Sequence, residues 1–571
     1  MVVTARSDLV VTKYRLYPTL VPFFPFPKSS SRFQTALAAV VFAALASSAC
    51  GARARGEDVW RLRYRAVPDK TVAVWFDRFS TDDEELYTNA VSNAEATQWA
   101  LASIPRFECP DRDIERAYYF RWWTYRKHLK KTPDGWVVTE FLPQVPWAGP
   151  NNTISCPLNH HVMEGRWLRD SRYLDDYIAF MVRKGRVNGS GAYSNAPAFA
   201  ALERAKVTGD FAFVEKLLPD FIRNCEAWER GWRVGKSGFF IGFRPERGLY
   251  DIWDGYEGTE NSLSRHGARP MVNAMRWADL KAVAEIAERA GDNETAARFA
   301  AKADALEQAI KSKLWNAEKR FFTTLPANGE RLDDVCELHG YAPFCFGMPL
   351  AGFGAAWNRL MDSRNGFSAA PKGLTFPARD ASGFRDVPIR QWCRWDGPSW
   401  PYATSFALTA LYRTLQDGAD IPVTSGDFTA LLGQFAAQHK LVREDGRMVS
   451  WIDENLDAYT GEWLVRENII EYARKTGKRL RVRERGKDYN HSTFCDLVIA
   501  GLCGIRPSRD GRLDVKPLAP GAWDWWCLDG VRIHGRDVTV LFDRSGTRYG
   551  KGKGLVMLND GKKEERHGDG N

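Results

Sequence analysis

Four carboxylates crowd into one short segment, Asp251-Ile-Trp-Asp-Gly-Tyr-Glu-Gly-Thr-Glu-Asn-Ser262, where Asp251, Asp254, Glu257 and Glu260 alternate with Trp253, Tyr256 and Asn261 just ahead of a strong helical pattern. A second acid-rich segment, Asp453-Glu-Asn-Leu-Asp-Ala-Tyr-Thr-Gly-Glu462, also precedes a helix. A third, Gln391-Trp-Cys-Arg-Trp-Asp-Gly-Pro-Ser-Trp-Pro401, offers Trp392, Arg394, Trp395, Asp396 and Trp400. Sugars have apolar C–H faces and hydroxyl rims, which flat indoles and planar polar side chains match. Hydrolysis of a glycosidic bond needs a protonated carboxyl and a carboxylate on opposite sides of that bond. Acids ahead of helices also serve as caps or dipole charges, and loop tryptophans also cover cores. Residue type alone therefore leaves each position open to both roles.

Acids at positions 260 and 454 meet only if the fold brings distant loops to one mouth. Helical patterns near 82–102, 112–129, 159–184, 195–208, 210–231, 266–291, 294–314, 347–362, 399–417, 426–439, 463–476 and 490–503 supply such a fold. The clearest, 266–291, places Met271, Met275, Ala278, Ala282 and Ile286 on one face and stops at Gly291. Long loops rich in Gly, Pro, Trp and Asp separate the helix pairs at 131–158, 232–265, 315–346, 364–398 and 440–462; such loops usually carry function. The pattern predicts a mainly α chain built as an (α/α)6 barrel over 57–504, with a short strand pair within Trp60 to Phe79. From 505 to 571 alternating runs, Arg512 to Leu518, Gly530 to His534, Asp537 to Phe542 and Gly554 to Leu558, predict a small antiparallel β domain. The Trp523-Asp-Trp-Trp526 cluster calls for cover against the barrel.

Composition narrows the class. The chain has 571 residues, 44% hydrophobic, 13% aromatic and 26% charged, which is globular and excludes disordered, collagen-like and disulfide-scaffold proteins. Its formal charge of +9 is diluted over 80 basic and 71 acidic residues, so no nucleic-acid footprint is expected. Arg32 followed by the small-residue apolar run Ala36 to Ala49 reads as a secretory signal within residues 1–56, and predicts a periplasmic or extracellular protein. That run is too short to span a bilayer comfortably, and no later segment is long enough. Cys50 stands in a poor lipid-attachment context. The nine later cysteines contain no Cys-x-x-Cys and read mostly as buried small hydrophobes, with one or two bridges permitted by export. His160 and His161 lack an evident third ligand, so no metal is expected, and no cofactor motif is present. The oligomeric state is not legible.

Three motifs carry a resemblance. Gly258-Thr-Glu-Asn-Ser262, Arg394-Trp-Asp-Gly-Pro-Ser-Trp400 and Glu454-Asn-Leu-Asp-Ala-Tyr-Thr-Gly461 follow one another in the order found in the six-hairpin glycosidases. Over roughly 110 to 505 the chain resembles their mannosylglycerate hydrolase-like and family 63 group. Asn490-His-Ser-Thr-Phe494 sits where the family has a Phe-x-Trp-Ser/Thr helix start. The resemblance implies an inverting glycoside hydrolase acting on a carbohydrate, with Glu260 as general acid and Glu454 as general base. The sequence departs from the family at the acid position, where Glu replaces Asp, and at Leu456 and Ala458, where Tyr and Pro are usual. Asp254 is the competing acid. Trp253, Tyr256, Asn261, Trp392, Arg394, Trp395, Asp396, Trp400 and His491 are the candidate sugar contacts. The alternatives are a rhamnosidase or arabinofuranosidase-type hydrolase of the same barrel, a barrel lyase using Tyr489 or His491, and a glycan-binding barrel without catalysis.

Overall fold

Helix ends are set by the side chains at them. Asp111 opens the Arg112–His128 helix by accepting the Asp113 and Ile114 backbone N–H groups at 2.9 and 3.1 Å. Asp292 does the same for Asn293–Lys313 through Thr295 at 3.0 Å. Pro270 occupies the first turn of Pro270–Arg289, where its missing N–H costs nothing. Met271, Met275, Ala278, Ala282 and Ile286 are all buried there, as their spacing predicts. The computed structural model describes residues 65–563, apart from 88–89, 186–192, 235–237, 386–392 and 478–483. The signal reading at 1–56 and Trp392 lie outside the described residues.

The inner helices pack in a closed circuit. Leu158–Gly165 meets Pro197–Thr208, which meets Pro270–Arg289, then Ala342–Cys345, then Pro401–Gln416 and the Leu497–Leu502 turn. Phe494–Asp496 returns the circuit to Leu158–Gly165. Outer helices Arg172–Lys184, Leu218–Arg230, Asn293–Lys313 and Ser425–Gln438 each back an inner one. This is an (α/α)6 barrel. Asp496 is buried and takes Arg166 Nη2 at 2.8 Å and Trp167 Nε1 at 2.9 Å, which ties the last inner helix to the early ones. Among the described residues no helix is long and apolar enough to cross a membrane.

Several predicted elements differ. Residues 69–82 form a helix instead of part of a strand pair; Val72, Trp75, Phe76 and Phe79 are buried at helical spacing, which the local Val-Ala-Val-Trp alternation disguised. Among the described residues of the predicted 82–102 helix, Asp82 ends the preceding helix and Ala96–Ser103 is the one new α-helix, and 347–362 holds just the 3-10 turn Gly354–Arg359. The 159–184 pattern breaks into Leu158–Gly165 and Arg172–Lys184. Residues 494–502 are a short α-turn running into a π-helix. The nine described cysteines are all free thiols, so the expected bridges are absent; eight are buried and fill space as hydrophobes.

The C-terminal part is a five-stranded antiparallel sheet in the order Arg106–Glu108, Trp525–Ile533, Arg536–Asp543, Gly554–Asn559, Lys562–Lys563. Its first strand comes from the barrel portion of the chain, with Arg106 opposite Asp529. Trp526, Leu528, Val531, Ile533, Val538 and Val540 belong to the same apolar core as the barrel helices. Burying each such side chain is worth about 1.5–3 kcal/mol. A chain ending at Ile505 is therefore expected to lose solubility and to melt well below the full chain; equal melting temperatures and soluble yields would show the sheet to be dispensable.

Candidate active site

The first acid segment is built around a buried cation. Phe239–Arg244 pairs with Leu249–Asp251, and the chain then makes the short helix Asp254–Glu257. Gly258 follows in the left-handed region at φ 76, where a Cβ would also overlap the Cys156 Sγ. Asn261 is left-handed too, at φ 62, so Glu260 sits in a tight turn closed by Ser262 N–H on the Thr259 carbonyl at 3.0 Å. Arg269, at the start of Pro270–Arg289, holds this turn: its guanidinium pairs with Glu257, donates to Thr259 Oγ1 at 3.1 Å and reaches Glu337 at 3.2 Å. Burial opposes ionisation of Glu257, but Arg269 outweighs it and holds the carboxyl down at about 2. Glu337 shares the cation less fully, and burial pushes it up to about 7. Asp251 is bound by Arg244 and Arg247, each at 3.2 Å. Two of the four clustered acids are thus structural.

Glu260 has no such cation among the described residues. The Cys393 thiol donates to its Oε2 at 3.2 Å. Burial, reinforced by the negative charges of Glu454 and Asp254, pushes its carboxyl up to about 7. Asp254 is raised by burial, but Arg269 and Arg265 oppose this, and its Oδ1 accepts the Gly255 N–H at 2.9 Å.

Glu454 comes from the second segment. Leu456 and Ser399 exchange backbone hydrogen bonds at 2.9 Å, so the second and third acid-bearing loops brace each other. Asp457 is the turn-maker here, its Oδ1 accepting Tyr459 and Thr460 N–H at 2.8 and 3.1 Å. Arg485 donates to Glu454 Oε1 at 2.6 Å. The segment around Arg485 is pinned by Lys127 on Asp488 at 2.5 Å and by the His128 ring against the Asp488 carbonyl at 2.8 Å. Glu454 N–H donates to Asp453 Oδ1 at 2.7 Å, and burial together with the Glu454 charge pushes Asp453 up to about 8. The Glu454 charge therefore reaches Glu260, although the two are distant in sequence.

Other expected contacts divide. Trp253 and Tyr256 are half-buried and form an aromatic row with Phe239 and Tyr193, centroid to centroid 5.8 to 6.0 Å. Asn261, Arg394 and Asp396 line a 370 Å³ cavity beside the Glu260 turn, with Arg265 and Arg385 on its wall. Arg394 and Asp396 form a bidentate pair, and Arg385 joins Asp396 at 3.3 Å. Trp395 and Trp400 are not open platforms. They stack at 3.8 Å and 6° and are at most 2% exposed, forming the wall behind the loop. His491 is likewise buried against Tyr489 and Tyr402, and burial holds its pKa well below the usual range. Glu140, Trp147, Cys393 and Arg485 had no sequence signal beyond their place in loops: the first two lie in the 131–158 loop, and Arg485 in a charged run.

A glycoside hydrolase family model, the mannosylglycerate hydrolase MGH1-like domain, matches residues 150–492. The chain belongs to this family. A family 65 glycosyl hydrolase C-terminal domain matches residues 505–563. A solved structure described as a sialidase superposes on the mannosylglycerate hydrolase-like chain with TM-score 0.77 at 34% identity, over 88% of this chain and 44% of that one. The chain thus spans less than half the length of that relative. Matches at lower similarity include a mannosylglycerate hydrolase from Thermus thermophilus, at 11% identity and TM-score 0.47 over 67% of this chain and all of that one. They also include a family 78 rhamnosidase from a Bacillus species, at 14% identity and TM-score 0.48 over 77% and 40%. The family to which the matched residues belong is one of glycoside hydrolases.

Removing Arg269 strands Glu257 and Glu337 in the interior, and breaking a buried pair costs about 3–5 kcal/mol. Arg269→Met is expected to lower the unfolding free energy by that order in denaturant titration; a change below about 1 kcal/mol would show that the turn does not depend on the cation. In the unaltered protein Glu257 is depressed from its ordinary 4.5 to about 2. Its contribution is present above pH 4.5 and is lost as pH falls through about 2.

Proposed function

We propose that this glycoside hydrolase inverts the anomeric carbon, with Glu260 protonating the leaving oxygen and Glu454 activating the attacking water. The observation that carries the reading is the unequal surroundings of two carboxyls, the charge of Glu454 acting on Glu260. Glu260, with no cation against it among the described residues, is held protonated up to about 7, while Glu454 is ion-paired with Arg485 at 2.6 Å. A general acid needs the first environment and a water-activating carboxylate the second. Asp254 fits the acid role less well, because its carboxyl is flanked by Arg269 and Arg265 and bonded to its own helix. The substrate is an oligosaccharide or glycan with an α-linked or furanosidic terminus, and the Arg32 to Ala49 pattern supports export to the periplasm or medium.

Glu260→Gln and Glu454→Gln are each expected to reduce kcat about 10²–10⁴-fold with the melting temperature unchanged. Near-full activity in either variant sinks that residue's role. Proton NMR of the first-formed sugar should show the anomer opposite to the substrate; the same anomer would mean retention instead.

The working form of Glu260 is protonated, so kcat/KM should fall as pH rises through about 7. Burial raises the Glu260 pKa, and the Cys393 S–H bond opposes this by favouring the carboxylate. Cys393→Ala should therefore move the alkaline limb to higher pH. A limb that stays in place in a pH–rate profile would show that another group sets it.

A further inference from the structure

Trp147 is the exposed tryptophan among the described ones, with 45% of its surface open to solvent. It stands beside the acid pair rather than on a remote face. Its indole Nε1 donates to Glu140 Oε2 at 2.8 Å. The Arg485 guanidinium lies 5.7 Å from its ring centroid, and the same guanidinium holds Glu454. Phe141 meets the ring edge-on at 6.1 Å and 90°. Glu140 is itself buried and feels the charges of both Glu454 and Glu260.

The loop that presents Trp147 is locked from below. Asn152 adopts φ 57, accepts Val145 N–H at 3.0 Å and donates to the Phe141 and Pro143 carbonyls at 2.7 and 2.9 Å. Glu140 N–H donates to the Asn152 carbonyl at 3.0 Å. A tryptophan that merely covered core would be buried by such a loop. This one has its polar atom satisfied and its edge fixed while much of the ring stays wet, which is how an aromatic anchor is pre-organised for a ligand.

We propose that Trp147 is the stacking platform for a sugar ring of the bound glycan, and that Glu140 is its positioning residue. The proposal rests on the Glu260–Glu454 reading for its location. The apolar C–H face of a pyranose or furanose ring lies on the indole, and the Nε1–Glu140 bond fixes the plane of that face beside Glu454.

The test uses the full chain and oligosaccharides released from plant cell walls by endo-acting glycanases, which keep pyranosidic and furanosidic ends. Trp147→Ala should raise KM about tenfold with kcat within about twofold, the signature of lost ground-state binding. Glu140→Ala should shift KM the same way, and Glu140→Gln, which keeps an acceptor for the indole, should recover most of that loss. Independently of turnover, N-bromosuccinimide should oxidise Trp147 readily, and the oligosaccharides should slow this severalfold by peptide mass spectrometry. Unprotected Trp147 with unchanged KM in Trp147→Ala overturns the platform. An equal KM shift in Glu140→Ala and Glu140→Gln overturns the positioning role. If these variants behave as expected while Glu260→Gln stays active, the acid assignment fails and the platform stands.

Discussion

A guanidinium buried in a barrel has no water to screen it, so the chain must bring acids to it. Arg269 is 1% exposed at the start of the helix that contacts the Pro197–Thr208, Leu218–Arg230, Asn293–Lys313 and Ala342–Cys345 helices. Neutralising it draws in Glu257 from one loop and Glu337 from another, with Thr259 between. Once Glu257 and Thr259 are fixed, Glu260 has little freedom left. The Glu260 turn is a by-product of solving a charge-burial problem in the residues beside it.

The same bookkeeping separates the acids of the site. Glu257 against Arg269, and Asp488 against Lys127 and Lys487, stay ionised despite burial, whereas Glu337, which only shares Arg269, does not. Where no described cation touches a carboxyl, as for Glu260, Glu140 and Asp453, burial and neighbouring negative charge keep it protonated to about 7 or 8. One interior thus holds carboxyls of both kinds close together, the condition for paired acid and base chemistry. Asp453 also caps the Glu454 N–H, so the acid beside Glu454 acts on its backbone.

Much of this was readable in one dimension. Helices such as Pro270–Arg289 and Asn293–Lys313 have uninterrupted periods and local caps, which need no tertiary knowledge. The Asp69–Asp82 helix was not readable, because Val72 to Phe76 satisfies a strand and a helix pattern equally and only packing decides. Glu260 and Glu454 stood out through neighbours of fixed type. Glu140 and Arg485 did not, because each is an ordinary charged residue whose meaning comes from a partner hundreds of positions away or on another loop. Trp395 and Trp400 misled for a related reason: a loop position says nothing about which side of the loop a ring faces, and these two face inward.

The strand Arg106–Glu108 waits for its partner Trp525–Ile533, which is made only after the whole barrel portion of the chain. The inner circuit has the same property, since Leu158–Gly165 is closed by Phe494–Asp496. At ribosomal rates of about 5–20 residues per second, the two ends of the ring are separated by tens of seconds of synthesis. During that interval the early helices expose apolar faces whose cover has not yet been made. The nascent chain is thus obliged to keep the ring open until residues 494–533 emerge, because these long-range contacts have no local substitute.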